Sequence, residues 1–243
     1  MEKFSKPPII EKYGGVYVVR DDLYPGGTKA RHMHKIFNDH DEIVYASPAE
    51  GGAQFALAAC AKELGKRATI FVAKRKTPHP RAYEAKALGA KIYQVSPGYL
   101  AVVQARAKKY CADTGAYYLP FGAASKAAIE DISTAAASIE INPTSIWCAA
   151  GSGILTRSLC RAFPNTPVHA VQVGRALKKT EIGHASLHIS KHAYSKHLAS
   201  DAPFPICPHY EAKAWEFMMS MDDLGDRPLF WNVAGEAIAA RMS

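Results

Sequence analysis

The chain has 243 residues, 48% of them hydrophobic and 21% charged, which is enough for one good-sized core or two small ones and excludes a disulfide-stapled miniature, a disordered tail and a repeat array. Thirty Lys and Arg against 22 Asp and Glu give a formal charge of +8, a balance that favours polyanions without requiring one. Five widely spaced cysteines form no Cys-x-x-Cys pair, the opening MEKFSKPPIIEKYGG holds no apolar signal core, and no apolar run nears bilayer-spanning length; a cytoplasmic protein with no membrane partner is expected.

In chain order, strands are predicted over 15–20, 43–46, 68–73, 91–95, 145–149, 168–173 and 229–232, and helices over 53–64, 81–88, 100–112, 124–138 and 154–162. This alternation argues for helical crossovers covering both faces of mostly parallel sheets. Gly65, Gly89, Pro143 and Pro164 each stand where one element hands over to the next. Residues 174–209 differ: ten of these 36 positions are Lys, Arg or His, and prolines stand at 203, 205 and 208. A helix from about Ala185 and then an irregular excursion are expected there. His184, His188 and His192 would share one face of such a helix, but no Asp, Glu or Cys completes a ligand set, so no metal is expected.

Two local features carry chemistry. In Arg20-Asp21-Asp22-Leu23-Tyr24-Pro25-Gly26-Gly27-Thr28-Lys29-Ala30-Arg31, a strand runs through a glycine pair into a helix near Lys29, with Thr28 as the expected N-cap. A lysine held at a helix N-terminus has its cation disfavoured by the dipole, which helps supply the neutral amine that Schiff-base chemistry needs. In Ile146-Trp147-Cys148-Ala149-Ala150-Gly151-Ser152-Gly153-Ile154, a strand ends in a small-residue loop that opens a helix. Backbone amides of Gly151, Ser152, Gly153 and Ile154 could wrap a phosphate with the helix dipole behind it. The Lys and Ser/Thr of a nucleotide P-loop are missing, as is the third glycine of a dinucleotide fingerprint, so an NADP-dependent oxidoreductase is only an alternative. An aspartate at Gly153 is expected to weaken phosphate retention without unfolding the chain.

Together these segments resemble the fold type II pyridoxal-phosphate enzymes, the tryptophan synthase beta-like group, and within it 1-aminocyclopropane-1-carboxylate deaminase and D-cysteine desulfhydrase. The match rests on Arg20-Asp21-Asp22-Leu23, Gly26-Gly27-Thr28-Lys29 with Arg31, the loop Gly151–Ile154, and Tyr210-Glu211-Ala212-Lys213 where the deaminases carry Tyr-Glu-Gly-Lys. A terminal strand with a short glycine-rich segment is matched weakly by residues 229–235. The resemblance implies an α/β chain of two three-layer α/β/α units with mostly parallel sheets. Residues 1–42 and 120–243 would form a larger cofactor-binding domain and 43–119 a smaller one. It implies pyridoxal 5'-phosphate as cofactor, Lys29 as the Schiff-base residue, Glu211 facing the pyridine nitrogen, and Asn232 among the cofactor contacts; Tyr210, beside Glu211, is a candidate proton relay or a packing residue. Gly51, Gly52, Ala53 and Gln54 fall where relatives receive the substrate carboxylate, with Gly52 in place of their Asn, which widens the mouth. The chain also looks shorter than typical relatives, as in proteins that complete themselves as homodimers.

The function so implied is a lyase that deaminates or eliminates at Cα of an amino-acid-like substrate. An alternative is a decarboxylase acting on an amino acid attached to a modified DNA base, which suits an ionised Glu211, the open Gly52 and the positive charge. The basic stretches 66–81 and 175–196 would then hold backbone phosphates. A nonenzymatic nucleic-acid-binding protein is the remaining alternative, although no zinc-finger, basic-zipper or RNA-reading motif is present.

Overall fold

The predicted alternation is realised as two sheets in a computed structural model, which describes Phe4 and residues 6–96, 98–123 and 125–234. The chain divides between Thr28 and Lys29. Lys6–Thr28 joins Ala124–Glu236 in one unit, and Lys29–Ala123 lies in the other. From sequence, residues 29–42 and 120–123 are expected with the larger domain; they cluster with the smaller one.

In the larger unit, strands β1 (Ile10–Tyr13) and β2 (Val16–Arg20) form a hairpin around Gly14 and Gly15. The smaller unit is inserted next. It contains helix α1 (Ala30–Ile36), strand β3 (Glu42–Ser47), helix α2 (Ala53–Leu64), strand β4 (Arg67–Ala73) and helix α3 (Pro80–Ala87). Strand β5 (Lys91–Val95), helix α4 (Leu100–Thr114) and strand β6 (Tyr117–Leu119) complete it. Its sheet runs β5-β4-β3-β6, all parallel. Val44, Ala46 and Phe71 pack beneath Val103 and Ala107 of α4, so the alternate residues of β3 face the opposite layer.

The chain returns to the larger unit through helix α5 (Lys126–Ala137), which realises the predicted 124–138 segment, Ala124 itself lying outside the described residues. Strand β7 (Ser145–Ala150), helix α6 (Ile154–Ala162), strands β8 (Val168–Gln172) and β9 (Ser186–Ile189), helix α7 (Glu211–Met219) and strand β10 (Pro228–Asn232) follow. The sheet order is β1-β2-β10-β7-β8-β9, and only the β1–β2 pair is antiparallel. One face packs Val18, Trp147, Ala149 and Phe230 against Ala212, Trp215 and Met218 of α7. The other packs Val19, Ile146, Cys148 and Trp231 with Leu159 of α6 and Ala136 of α5. Strands buried on both faces explain why β7 reads as an unbroken apolar run.

The helix expected from Ala185 is a strand instead. Leu187 of β9 packs among one core and its neighbour His188 points to the other side, where its ring stacks at 5.6 Å on Trp147. Period-two burial beside β8 overrides the four-residue spacing of the histidines, which therefore share no helical face. Among the described residues no group of His, Cys, Asp and Glu could hold a metal ion.

His188 Nε2 lies 3.0 Å from His169 Nδ1, so one ring must donate and the other accept. Burial lowers the pKa of both rings, and the charge of His188 adds to the effect on His169. A depressed imidazole pKa favours the neutral form in the fold. Its contribution is therefore complete above the ordinary value of about 6.5 and is lost as pH falls through the depressed values. The thermal midpoint is expected to fall on acidification below that point, and His188→Phe, which keeps the stack, should make the decline shallower. An identical acid limb in the variant would remove this pair as its cause.

Candidate functional site

Parallel strands β2, β10 and β7 end together at Arg20, Asn232 and Ala150, and ligand sites of open α/β sheets lie beyond such carboxyl ends. At the end of β2 the guanidinium of Arg20 grips Asp22 with Nε and Nη2 at 2.8 Å each, while Nη1 bonds the Tyr13 hydroxyl at 2.7 Å and pairs with Glu11. Asp22 also accepts Asn232 Nδ2 at 2.9 Å, which locks β2 to β10. Buried Asp21 accepts the Thr28 hydroxyl at 2.7 Å and Trp231 Nε1 at 3.2 Å, and Trp231 Nε1 also reaches Thr28 Oγ1 at 3.0 Å. The acidic pair thus fastens the segment that delivers Lys29.

Thr28 is consequently not the N-cap. With its hydroxyl committed to Asp21 and Trp231, the cap position falls to Lys29, in α conformation and with no side-chain cap bond. Gly27 makes the approach possible. Its φ is +71°, and a Cβ there would lie 2.5 Å from the Val233 carbonyl, the group that accepts the Thr28 amide at 3.0 Å. Gly27→Ala is expected to destabilise the chain by about 2 kcal/mol, left-handed backbone alone costing roughly 1–2 kcal/mol. The midpoint of denaturant unfolding checks this, and an unchanged midpoint would show that the Val233 carbonyl gives way to the added methyl group.

Beyond β7, Gly151, Ser152 and Gly153 lead into α6, whose first-turn amides have no intrahelical partners and whose dipole favours an anion. The glycines also serve the chain's own packing. Gly153 has φ +74°, and a Cβ on it would stand 2.0 Å from the Glu181 carbonyl; one on Gly151 would stand 3.1 Å from the Tyr210 hydroxyl. The aspartate imagined at 153 would therefore strain the backbone before it met any phosphate.

Tyr210 donates to the Ala149 carbonyl at 3.2 Å. Burial, then the Glu211 charge, push its pKa well above the ordinary phenol value, so it stays protonated at neutral pH. Glu211 follows, 1% exposed, in the first turn of α7, where the dipole favours a carboxylate. Asn232 is fully buried. Its Nδ2 also donates to the Pro205 carbonyl at 2.9 Å, and its Oδ1 has no partner among the described residues. An orphaned buried acceptor calls for a donor from outside the chain.

In the smaller unit, Gly51, Gly52, Ala53 and Gln54 gather at the start of α2. A Cβ on Gly51 would lie 2.7 Å from Ser47 Oγ, whereas one on Gly52 would meet nothing within 4 Å. Ala53 is buried, and buried Gln54 donates to the Ala49 carbonyl at 2.8 Å while its Oε1 has no partner among the described residues. The structure thus gathers Gly151–Ile154, Tyr210, Glu211 and Asn232 within the larger unit and Gly51–Gln54 within the smaller, with Lys29 at the chain junction. Sequence reasoning misses the Arg20–Asp22 and Asp21–Thr28 locks, for which two adjacent carboxylates closing a strand are the visible signal.

A family model described as pyridoxal-phosphate dependent enzyme matches residues 5–219. No curated protein matches. Among solved structures, a homologue of ACC deaminase is 18% identical with a TM-score of 0.76, over 96% of this chain and 93% of its own. O-ureido-L-serine synthase is 16% identical with a TM-score of 0.70, over 94% and 88%. Diaminopropionate ammonia lyase of Escherichia coli is 13% identical with a TM-score of 0.66, over 93% and 80%.

Proposed function

The chain belongs to the pyridoxal-phosphate-dependent enzymes, with the two-sheet α/β architecture of fold type II, and from that membership we propose that it is a lyase acting at Cα of an amino-acid-like substrate through Lys29. Pyridoxal 5'-phosphate is the cofactor, and the residues present fit it. A cradle of amides heads α6, Asn232 offers a buried acceptor, and a buried carboxylate opens α7. The cofactor, when bound, supplies the electron sink that labilises a Cα bond.

In this reading Lys29 would hold the cofactor, and its amine would move the proton at the substrate Cα. Amides of Gly151, Ser152, Gly153 and Ile154 bind the phosphate. Glu211 keeps the pyridine nitrogen protonated, and the protonated Tyr210 hydroxyl donates rather than acts as a base. The first turn of α2, at Gly51–Gln54, receives the substrate carboxylate. The observation that supports the proposal is the Asp21–Thr28–Trp231 lock, which fixes the backbone leading up to Lys29. Borohydride reduction and peptide mapping should place one pyridoxyl group on Lys29, and keto acid with ammonia should appear from at least one free D- or L-amino acid. Label on another lysine would refute the assignment.

A second reading, decarboxylation of an amino acid carried on a modified DNA base, is supported by the open space at Gly52 and by Lys178 and Lys179, exposed beside the Glu181 turn that covers Gly153. Carbon dioxide released only from DNA-borne substrate, with binding that weakens steeply as salt rises, would favour it over the first. The family match leaves the nicotinamide reading of the Gly151 loop without support. Among the described residues no helix is long and apolar enough to cross a membrane.

A further inference from the structure

Lys213 lies between Ala212 and Ala214 on α7 and is 1% exposed, one of the largest fully buried side chains of the chain. An ammonium so placed is costly unless each of its protons is matched. Lys213 meets that demand with backbone carbonyls. Nζ donates to Ala193 at 2.7 Å, Tyr194 at 2.9 Å and His209 at 3.0 Å, three donors for three acceptors.

Those acceptors are not neighbours in sequence. Ala193 and Tyr194 open the irregular excursion between β9 and α7, and His209 closes it. Further ties draw the excursion together: Leu198 N–H to Pro208 O at 3.1 Å, Asn232 Nδ2 to Pro205 O at 2.9 Å, and His192 Nε2 on Glu216 Oε2 at 2.9 Å. Lys213 bonds both ends. Three prolines keep this segment from helix or ladder, so its path depends on such side-chain anchors.

The last anchored carbonyl belongs to the residue before Tyr210, whose ring lies against Gly151, and Tyr210 precedes Glu211. We infer that Lys213 is a positioning residue: its ammonium staples both ends of the 193–209 excursion and thereby sets Tyr210 against the Gly151 loop and Glu211 at the head of α7. The consequence for catalysis rests on the roles proposed above for Tyr210 and Glu211; the staple itself does not.

Lys213→Met keeps length and removes the donors. Hydrogen exchange of the apo-protein should then quicken about tenfold or more across 193–209, with β7 and β10 unchanged, because the freed carbonyls must open to reach water. On reconstitution with pyridoxal phosphate, retention after gel filtration should hold, since the amides of α6 are untouched. The pH titration of the visible absorbance should move, because Glu211 no longer holds its place. A double-mutant cycle with Glu211→Gln should be non-additive in that titration. Lys213→Gln, which keeps two donors, is the safeguard should the Met variant not fold, with the same two changes at smaller size. Unchanged exchange across 193–209, or raised exchange with a wild-type titration, overturns the inference. Failure of every variant and of the wild type to take up the cofactor would instead strike the proposed function, while the exchange result would still decide the staple.

Discussion

On the proposed function, Lys29→Ala is expected to yield a folded protein that has lost covalent hold on the cofactor and about a thousandfold or more of its turnover, the scale on which removing the group that performs the covalent step acts. The fold survives because the backbone of residue 29 begins α1. Its carbonyl accepts the His32 and Met33 amides at 3.3 and 3.0 Å, and Lys29 makes no side-chain cap bond that alanine would lose. The lock that delivers the residue, Asp21 on Thr28 and Trp231, lies wholly upstream of the substitution or in β10 and is left intact. The cofactor should still be drawn in by the head of α6, but only reversibly. It should leave on gel filtration, and borohydride should leave no pyridoxyl peptide. An unfolding midpoint close to wild type together with persistent covalent label would mean that another lysine carries the chemistry.

The doubly buried strands were legible because burial on both faces leaves an unbroken apolar run, as in β3 and β7. The glycine loop between β7 and α6 was legible for the same reason, since it interrupts such a run. Pairings across long sequence distances were not. Histidines at 184, 188 and 192 imitate a helical face, and only β8, with Val171 opposite His188, reveals the second of them as part of an edge strand. Thr28 has the chemistry of an N-cap, yet Trp231, 203 residues away, takes its oxygen. Gly153 reads as a phosphate cradle, while the strictest demand on its missing Cβ comes from the Glu181 carbonyl. Lys213 reads as the tail of a motif; its carbonyl partners at 193 and 194 lie in a segment without periodicity. Residue identity is local, but the partner that gives a residue its role need not be.

Neighbouring substitutions in the Gly151–Ile154 loop are expected to act with opposite signs on stability. Gly153→Ala places a methyl group 2.0 Å from the Glu181 carbonyl oxygen at φ +74°. The obstruction is backbone, so it cannot rotate away. The turn at Lys179–Glu181 must shift, and with it the Lys178 amide on Glu181 Oε2 at 2.9 Å and the Arg175–Glu181 pair. With roughly 1–2 kcal/mol for the left-handed backbone itself, a total loss of about 3 kcal/mol or more is expected, in the range of severe backbone and packing lesions. Ser152→Asp avoids the left-handed position and puts a carboxylate just before α6, where the dipole favours it by about 0.3–1 kcal/mol. The aspartate variant should therefore be as stable as wild type or slightly more so. Its charge would nonetheless oppose a phosphate on the same amides, and cofactor retention should drop by about tenfold or more. Dialysis against limiting pyridoxal phosphate, read by absorbance beside a thermal melt, separates the two variants. A stable Ser152→Asp protein that keeps its cofactor as wild type does would take the phosphate away from this loop.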